Sequence, residues 1–170
     1  GPLATYRNGP VSSNVRHRQN NQMKPSTIHS LITARTLHDE ARKLISTGDR
    51  HMSSAGLILL QDALEIIFLS MLVERDVDEQ KPLESKTFDE LIGELKKVGV
   101  TVPKSGTLKA LNKQRVITKH YGQLAEPLTV QTYAEAVDTA VEAIVLEVLG
   151  SDIEKYSCLT YSRTEKQGPF

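Results

Sequence analysis

The chain has 170 residues, with 21 Lys and Arg against 21 Asp and Glu, so its formal net charge is zero and no global field draws it to nucleic acid. That length suits one domain able to bury a core unaided, and the lone Cys158 excludes an internal disulfide and a Cys-based zinc site. The absence of Trp, with few aromatics and abundant Leu, Ile, Val and Ala, favours an all-α protein over a β-sandwich or a disordered chain. The charge is nevertheless uneven. Residues 1–38 carry Arg7, Arg16, Arg18, Lys24 and Arg35 without an acid, and 101–125 carry Lys104, Lys109, Lys113, Arg115 and Lys119 without one.

Residues 1–25, rich in Asn, Ser, Gln, Arg and Gly, read as a polar basic tail or linker. Their start lacks the apolar region of a signal peptide, and Gly1-Pro2 has the form of a protease scar from recombinant expression. With one cysteine, this fits a reducing compartment, and the expected location is cytoplasmic. A helical bundle is expected over 26–150. Ser26 or Thr27 opens a first helix to about Ser46, with Leu31, Ala34, Leu37, Ala41, Leu44 and Ile45 at helical spacing and Gly48 just past its end. The segment Ser53 to Val77 is apolar on nearly every side, broken mainly by Gln61, Asp62, Glu65 and Ser70. Two carboxylates mid-span cost a transmembrane helix several kcal/mol, so this is read as a central bundle helix, or one shared with a second subunit, and no membrane is expected. Gln61, Asp62 and Glu65 form a narrow polar stripe that either faces solvent or supports an internal polar site. Thr87 and Glu90 have the spacing of a capping box and open a short helix stopped near Gly99, with Leu91, Ile92 and Leu95 on one face. Pro103 and Ser105 begin a fourth helix, which Gly122 and Pro127 end. Thr132 and Glu135 form a second capping box, and Tyr133, Val137, Ala140, Val141, Ile144 and Val148 carry a fifth helix to Gly150. Residues 151–170, polar with Tyr156, Leu159 and Tyr161, are a C-terminal strap or tail. The expected fold is an all-α, antiparallel bundle of about five helices.

No Gly-rich phosphate loop, G-x-S-x-G, H-E-x-x-H or Cys-His zinc spacing is present, and His17, His29, His38 and His51 lack ligand-like spacing with carboxylates, so no metal or cofactor is implied. What remains is the fourth helix, KSGTLKALNKQRVITKHYG, where Arg115 and His120 have the form R-x4-H. Together with the preceding AGLILLQDALEIIFLSML helix and the C-terminal helix that follows, over roughly 53–150, this run resembles the HEPN superfamily (higher eukaryotes and prokaryotes nucleotide-binding domain). The resemblance implies a helical bundle that dimerises and, in many members, cleaves RNA without metal in toxin, CRISPR or phage-defence settings. It maps the catalytic arginine and histidine to Arg115 and His120, and implies a homodimer and an operon or defence-system partner protein. The position after the arginine is typically polar in the family's ribonucleases, whereas here it is Val116. The expected function is a metal-independent endoribonuclease of HEPN type in a toxin or phage-defence setting, and Val116, which counts against catalysis, keeps as the alternative a non-catalytic HEPN-like dimerisation or partner-binding module.

Helix geometry refines this. At about 100° per residue Arg115 and His120 lie about 140° apart, with Arg115 between Leu108 and Leu111 at the edge of the apolar face and His120 outward among Lys109 and Lys113. A second subunit is the simplest way to bring such groups to one phosphate. Lys109, Lys113, Lys119 and Tyr121 are the expected RNA-binding residues, with Asp62 and Glu65 as a supporting polar stripe. In a cleavage reaction the RNA 2'-hydroxyl attacks the adjacent phosphate, His120 moves the proton and Arg115 stabilises the phosphorane oxygens. The alternative is structural: Arg115 pairs with Asp62 or Glu65 across the bundle, and His120 is an exposed cap. Base reading in DNA is disfavoured, because Asn112 and Gln114 point about 160° apart.

Overall fold

The computed structural model describes residues 22–150, so the readings placed on 1–21 and 151–170, including His17 and Cys158, lie outside the described residues. Within that range the apolar periodicities become five helices: α1 (Pro25–Ser46), α2 (Arg50–Glu74), α3 (Phe88–Lys97), α4 (Ser105–Tyr121) and α5 (Pro127–Leu149). There is no strand among the described residues, and the bundle is all-α.

Helix ends follow local chemistry, with two departures from the sequence expectation. Thr87 and Glu90 form the reciprocal capping box that opens α3, and Gly122, at φ +67°, ends α4. However, α1 opens at Pro25 rather than at a Ser26 or Thr27 cap, and α5 opens at Pro127 rather than at Thr132. A proline at the first helical position has φ preset and no N–H to leave unpaired, so it outcompetes a capping side chain further along. Thr132 lies inside α5, where its hydroxyl donates to the Leu128 carbonyl at 3.1 Å.

α2 is the centre. By length and composition it could cross a membrane, yet it packs inside the bundle, with Leu57, Leu60, Leu64, Phe68, Met71 and Leu72 fully buried. α1 folds back on it through the turn at Gly48, whose φ of +68° is open to glycine, and Asp49 caps α2 by accepting from the Met52 N–H at 2.8 Å. At the far end of this antiparallel hairpin, Lys24 donates to the Val73 carbonyl at 2.6 Å and pairs with Asp76 at 2.7 Å. Between these ends the two helices meet closely at Gly56. A Cβ there would lie 2.8 Å from Ile45 Cγ1 and 3.0 Å from the Ala41 carbonyl oxygen. α4 runs antiparallel to α2, joined to it at one end where the Ala125 N–H donates to Ser54 Oγ at 2.9 Å. α5, two helices later in the chain, lies parallel to α2: Arg50 reaches Glu126 at one end and Arg75 reaches the Glu147 carbonyl at the other. Phe68 of α2 stacks on Phe88 of α3, with ring centroids 5.4 Å apart, seating the short helix.

Two carboxylate clusters tie the outer elements down. Glu94, almost fully buried on α3, receives Lys81 at 2.9 Å, Lys97 at 3.3 Å and Lys86 at 3.7 Å, so the 77–87 loop is held to α3, and the Lys81 hydrogen bond leads in holding its carboxyl below the usual range. Asp138 of α5 accepts from both His38, at 2.9 Å, and Arg42, linking α5 to α1. Burial pushes the Asp138 carboxyl up, but the hydrogen bonds from His38 and Arg42 outweigh it and hold the group below the ordinary carboxylate value.

Two experiments check these contacts. Gly56→Ala should destabilise the protein by about 1–3 kcal/mol, because the added methyl meets backbone oxygen and the overpacking exceeds the gain in helix propensity. Gly93→Ala, where nothing lies within 4 Å, should instead stabilise by about 0.5–1 kcal/mol in the same urea titration. A depressed carboxylate contributes stability that is present above its unfolded pKa and lost as pH falls through its folded one. Asp138→Asn should therefore weaken the fold near neutral pH and flatten the acid limb of the stability curve, read as urea midpoints at a series of pH values.

Candidate functional site

The apolar face of α4 is set by Leu108 and Leu111, both fully buried, and one turn on from Leu111 the same face ends at Arg115. The arginine stem therefore lies at the core edge, its side chain 18% exposed, and its head is turned to α2. There Nη2 donates to Asp62 Oδ1 at 2.5 Å. The pair is single-pronged: Nε is buried and has no hydrogen-bond partner. Of the two carboxylates on this part of α2, Asp62 takes the arginine, while Glu65 is half-buried and makes no side-chain hydrogen bond or ion pair among the described residues.

Gln61, by contrast, separates from the polar stripe expected of it. It is fully buried and donates through Nε2 to Asn112 Oδ1 at 3.1 Å, leaving its own Oε1 unpartnered. The α2–α4 seam is thus polar at two successive places, Gln61 with Asn112 and Asp62 with Arg115. Sequence reading did not find the amide pair. Its signal was a lone Gln amid the most apolar stretch of the chain, a group that burial obliges to find a partner.

The outward side of α4 is different in kind. Lys109, Lys113, Val116 and His120 fall within about 60° of one another around the helix, with Lys119 toward the Arg115 side. Lys113, Val116, Lys119 and His120 are exposed, Lys109 is half-exposed, and Tyr121 is 80% exposed at the helix end. None of these four cationic side chains has a carboxylate partner among the described residues. Elsewhere Lys24, Lys81, Lys86, Lys97, Arg42 and Arg50 are paired, while Lys96 and Lys104, like the α4 lysines, have no carboxylate partner among the described residues. The helix end that carries His120 is well anchored: Gln114 donates to Thr118 Oγ1 at 3.2 Å, and Thr118 donates on to the Gln123 carbonyl at 2.8 Å.

Within one chain, then, Arg115 and His120 do not converge. No hydrogen bond joins them, Arg115 faces inward onto Asp62, and His120 faces outward with the lysines. Among the described residues no group of three or more His, Cys, Asp or Glu side chains is placed to hold a metal ion. A shallow depression of about 300 Å³ between α3 and α4 is lined by Lys96, Val100, Thr101, Val102 and Ser105, and none of the candidate residues lines it. No protein-family model, curated protein or solved structure matches this chain.

The geometry separates the two motif residues by stability. Arg115→Ala removes the stem packed beside Leu108 and Leu111 and opens space at the core edge, an expected loss of about 1–3 kcal/mol, whereas His120→Ala at an exposed helix end should cost under about 0.5 kcal/mol. Thermal and urea melts of the two variants measure the difference.

Proposed function

We propose that this chain is a HEPN-like helical module that binds RNA along the outward side of α4. The carrying observation is the segregation of charge on that helix. Arg115 is taken up by Asp62, while Lys109, Lys113, Lys119 and His120 are left without carboxylates on the side that faces solvent. Lys109 and Lys113 lie one turn apart and His120 two turns on from Lys113 on the same stripe, a spread of about 16 Å along the helix that suits a polyphosphate backbone better than a single small anion. Exposed Val116 adds apolar surface within the same stripe, and Tyr121 offers an exposed ring at the helix end. With its arginine engaged and Val116 beside it, the single chain is arranged for binding rather than for cleavage.

A second reading, a metal-independent endoribonuclease in a toxin or phage-defence setting, is favoured by one feature: His120 is exposed on the same stripe as Lys109 and Lys113, where RNA would lie. It requires a homodimer, in which the arginine and histidine of two copies meet across a two-fold axis. The 2'-hydroxyl is then the nucleophile, and neither metal nor cofactor is needed.

One set of assays tests both readings. Fluorescence anisotropy with a short single-stranded RNA should show that Lys113→Glu/Lys119→Glu weakens binding by roughly tenfold or more at low salt and lowers the salt slope by about two. Unchanged affinity would leave α4 a solvated face and end the binding reading. Cleavage in EDTA that leaves a 2',3'-cyclic phosphate and disappears in His120→Ala would establish the ribonuclease instead, and light scattering would then have to show a dimer.

A further inference from the structure

We infer that Asp62 is an autoinhibitory latch: its carboxylate occupies the position on Arg115 that an RNA phosphate takes when the chain is fully engaged. The inference rests on the reading of α4 as an RNA-binding face and specifies how that face is regulated.

Three observations carry it. First, Arg115 alone among the cations of α4 has a carboxylate partner among the described residues; Lys119, its neighbour one turn on, has none, nor do Lys109, Lys113 and His120, about 120–160° further round the helix. Of the neighbouring pair Arg115 and Lys119, at the border between the core edge and the solvent side, one member is thereby withheld. Second, the contact is poorly saturated for an arginine. One Nη2 meets one oxygen of Asp62, and the buried Nε has no hydrogen-bond partner among the described residues, whereas arginine–carboxylate pairs are frequently two-pronged. Third, Asp62 stands at the surface with its side chain 36% exposed, so it can rotate into water when displaced, at far lower cost than a buried carboxylate would incur. Arg115 itself stays anchored by its stem beside Leu108 and Leu111.

Carboxylate and phosphate present the same chemistry to a guanidinium, namely a delocalised anion with paired oxygens. A phosphodiester held by Lys119, one turn on from Arg115 and about 40° from it around the helix, would bring a second anion to the arginine and repel Asp62 from it. The exchange swaps one charge-assisted hydrogen bond for another, so its free energy is small and is decided by how many neighbouring cations hold the RNA. Two lysines holding a short RNA leave the latch closed; a longer strand that fills the face opens it. Position 62 thereby sets the affinity threshold of the module.

The test is RNA binding by the whole chain, read as anisotropy with a single-stranded oligoribonucleotide across a salt series. Asp62→Asn keeps the shape and removes the competing charge. It should bind about tenfold more tightly than wild type, with the salt slope larger by about one, because one more phosphate is neutralised. Glu65→Gln, which removes the same charge one turn along α2 from a carboxylate that touches no cation, should change affinity by less than about threefold and leave the slope alone. In Asp62→Asn/Arg115→Gln the gain should vanish, which a general charge effect would not do. Should Asp62→Asn fail to fold, as judged by circular dichroism, Asp62→Ser in the same series replaces it. Lys113→Glu/Lys119→Glu separates the two ideas. If it weakens binding but Asp62→Asn is no tighter than wild type, or gains no more than Glu65→Gln, the latch is overturned and the binding face stands. If Lys113→Glu/Lys119→Glu and wild type bind alike, or no protein in the series binds, both are overturned.

Discussion

The burial of α2 on nearly every side is the constraint from which the rest of the structure follows. A helix with so few polar positions must be covered by several partners at once, and α1, α3, α4 and α5 each place apolar residues against it. Close cover requires small residues at the crossing with α1, hence Gly56 against Ala41 and Ile45. It also requires α5 to return alongside α2 in the same direction, two helices after α2 in the chain, with its ends joined to α2 through Glu126 and the Glu147 carbonyl.

The polar groups on α2 then dictate what α4 does. A buried amide and a half-buried carboxylate in a core helix must be answered by the next helix that passes over them, and α4 answers with Asn112 and Arg115. The inner edge of α4 thereby meets α2 through these two contacts. Its lysines and His120, on the other side of the helix, meet no such demand and remain available to an outside anion.

Elsewhere, cations and carboxylates are matched where they hold elements together. Glu94 gathers three lysines and fixes the loop before α3, Asp138 joins α1 to α5, and Lys24 closes the end of the hairpin. A chain of zero net charge thus carries on α4 a local run of cations, Lys109, Lys113 and Lys119, that no carboxylate among the described residues answers.

Much of this was legible in the residues because the rules involved are local. Helical spacing located all five helices, the Thr87 and Glu90 pair announced the start of α3, Gly122 announced the end of α4, and the turn of the helix placed Arg115 at the core edge and His120 outside it. Boundaries set by competing local signals were less legible, as at Pro127, where a proline at the first helical position prevailed over a capping box five residues on. What only the tertiary structure decided were the matches between helices. That Asp62 rather than Glu65 receives Arg115, and that Gln61 is buried against Asn112 rather than aligned with the stripe, depends on the register and crossing of α2 and α4. Those are fixed by side-chain packing across the whole core, a sum over residues far apart in the chain that no local spacing encodes.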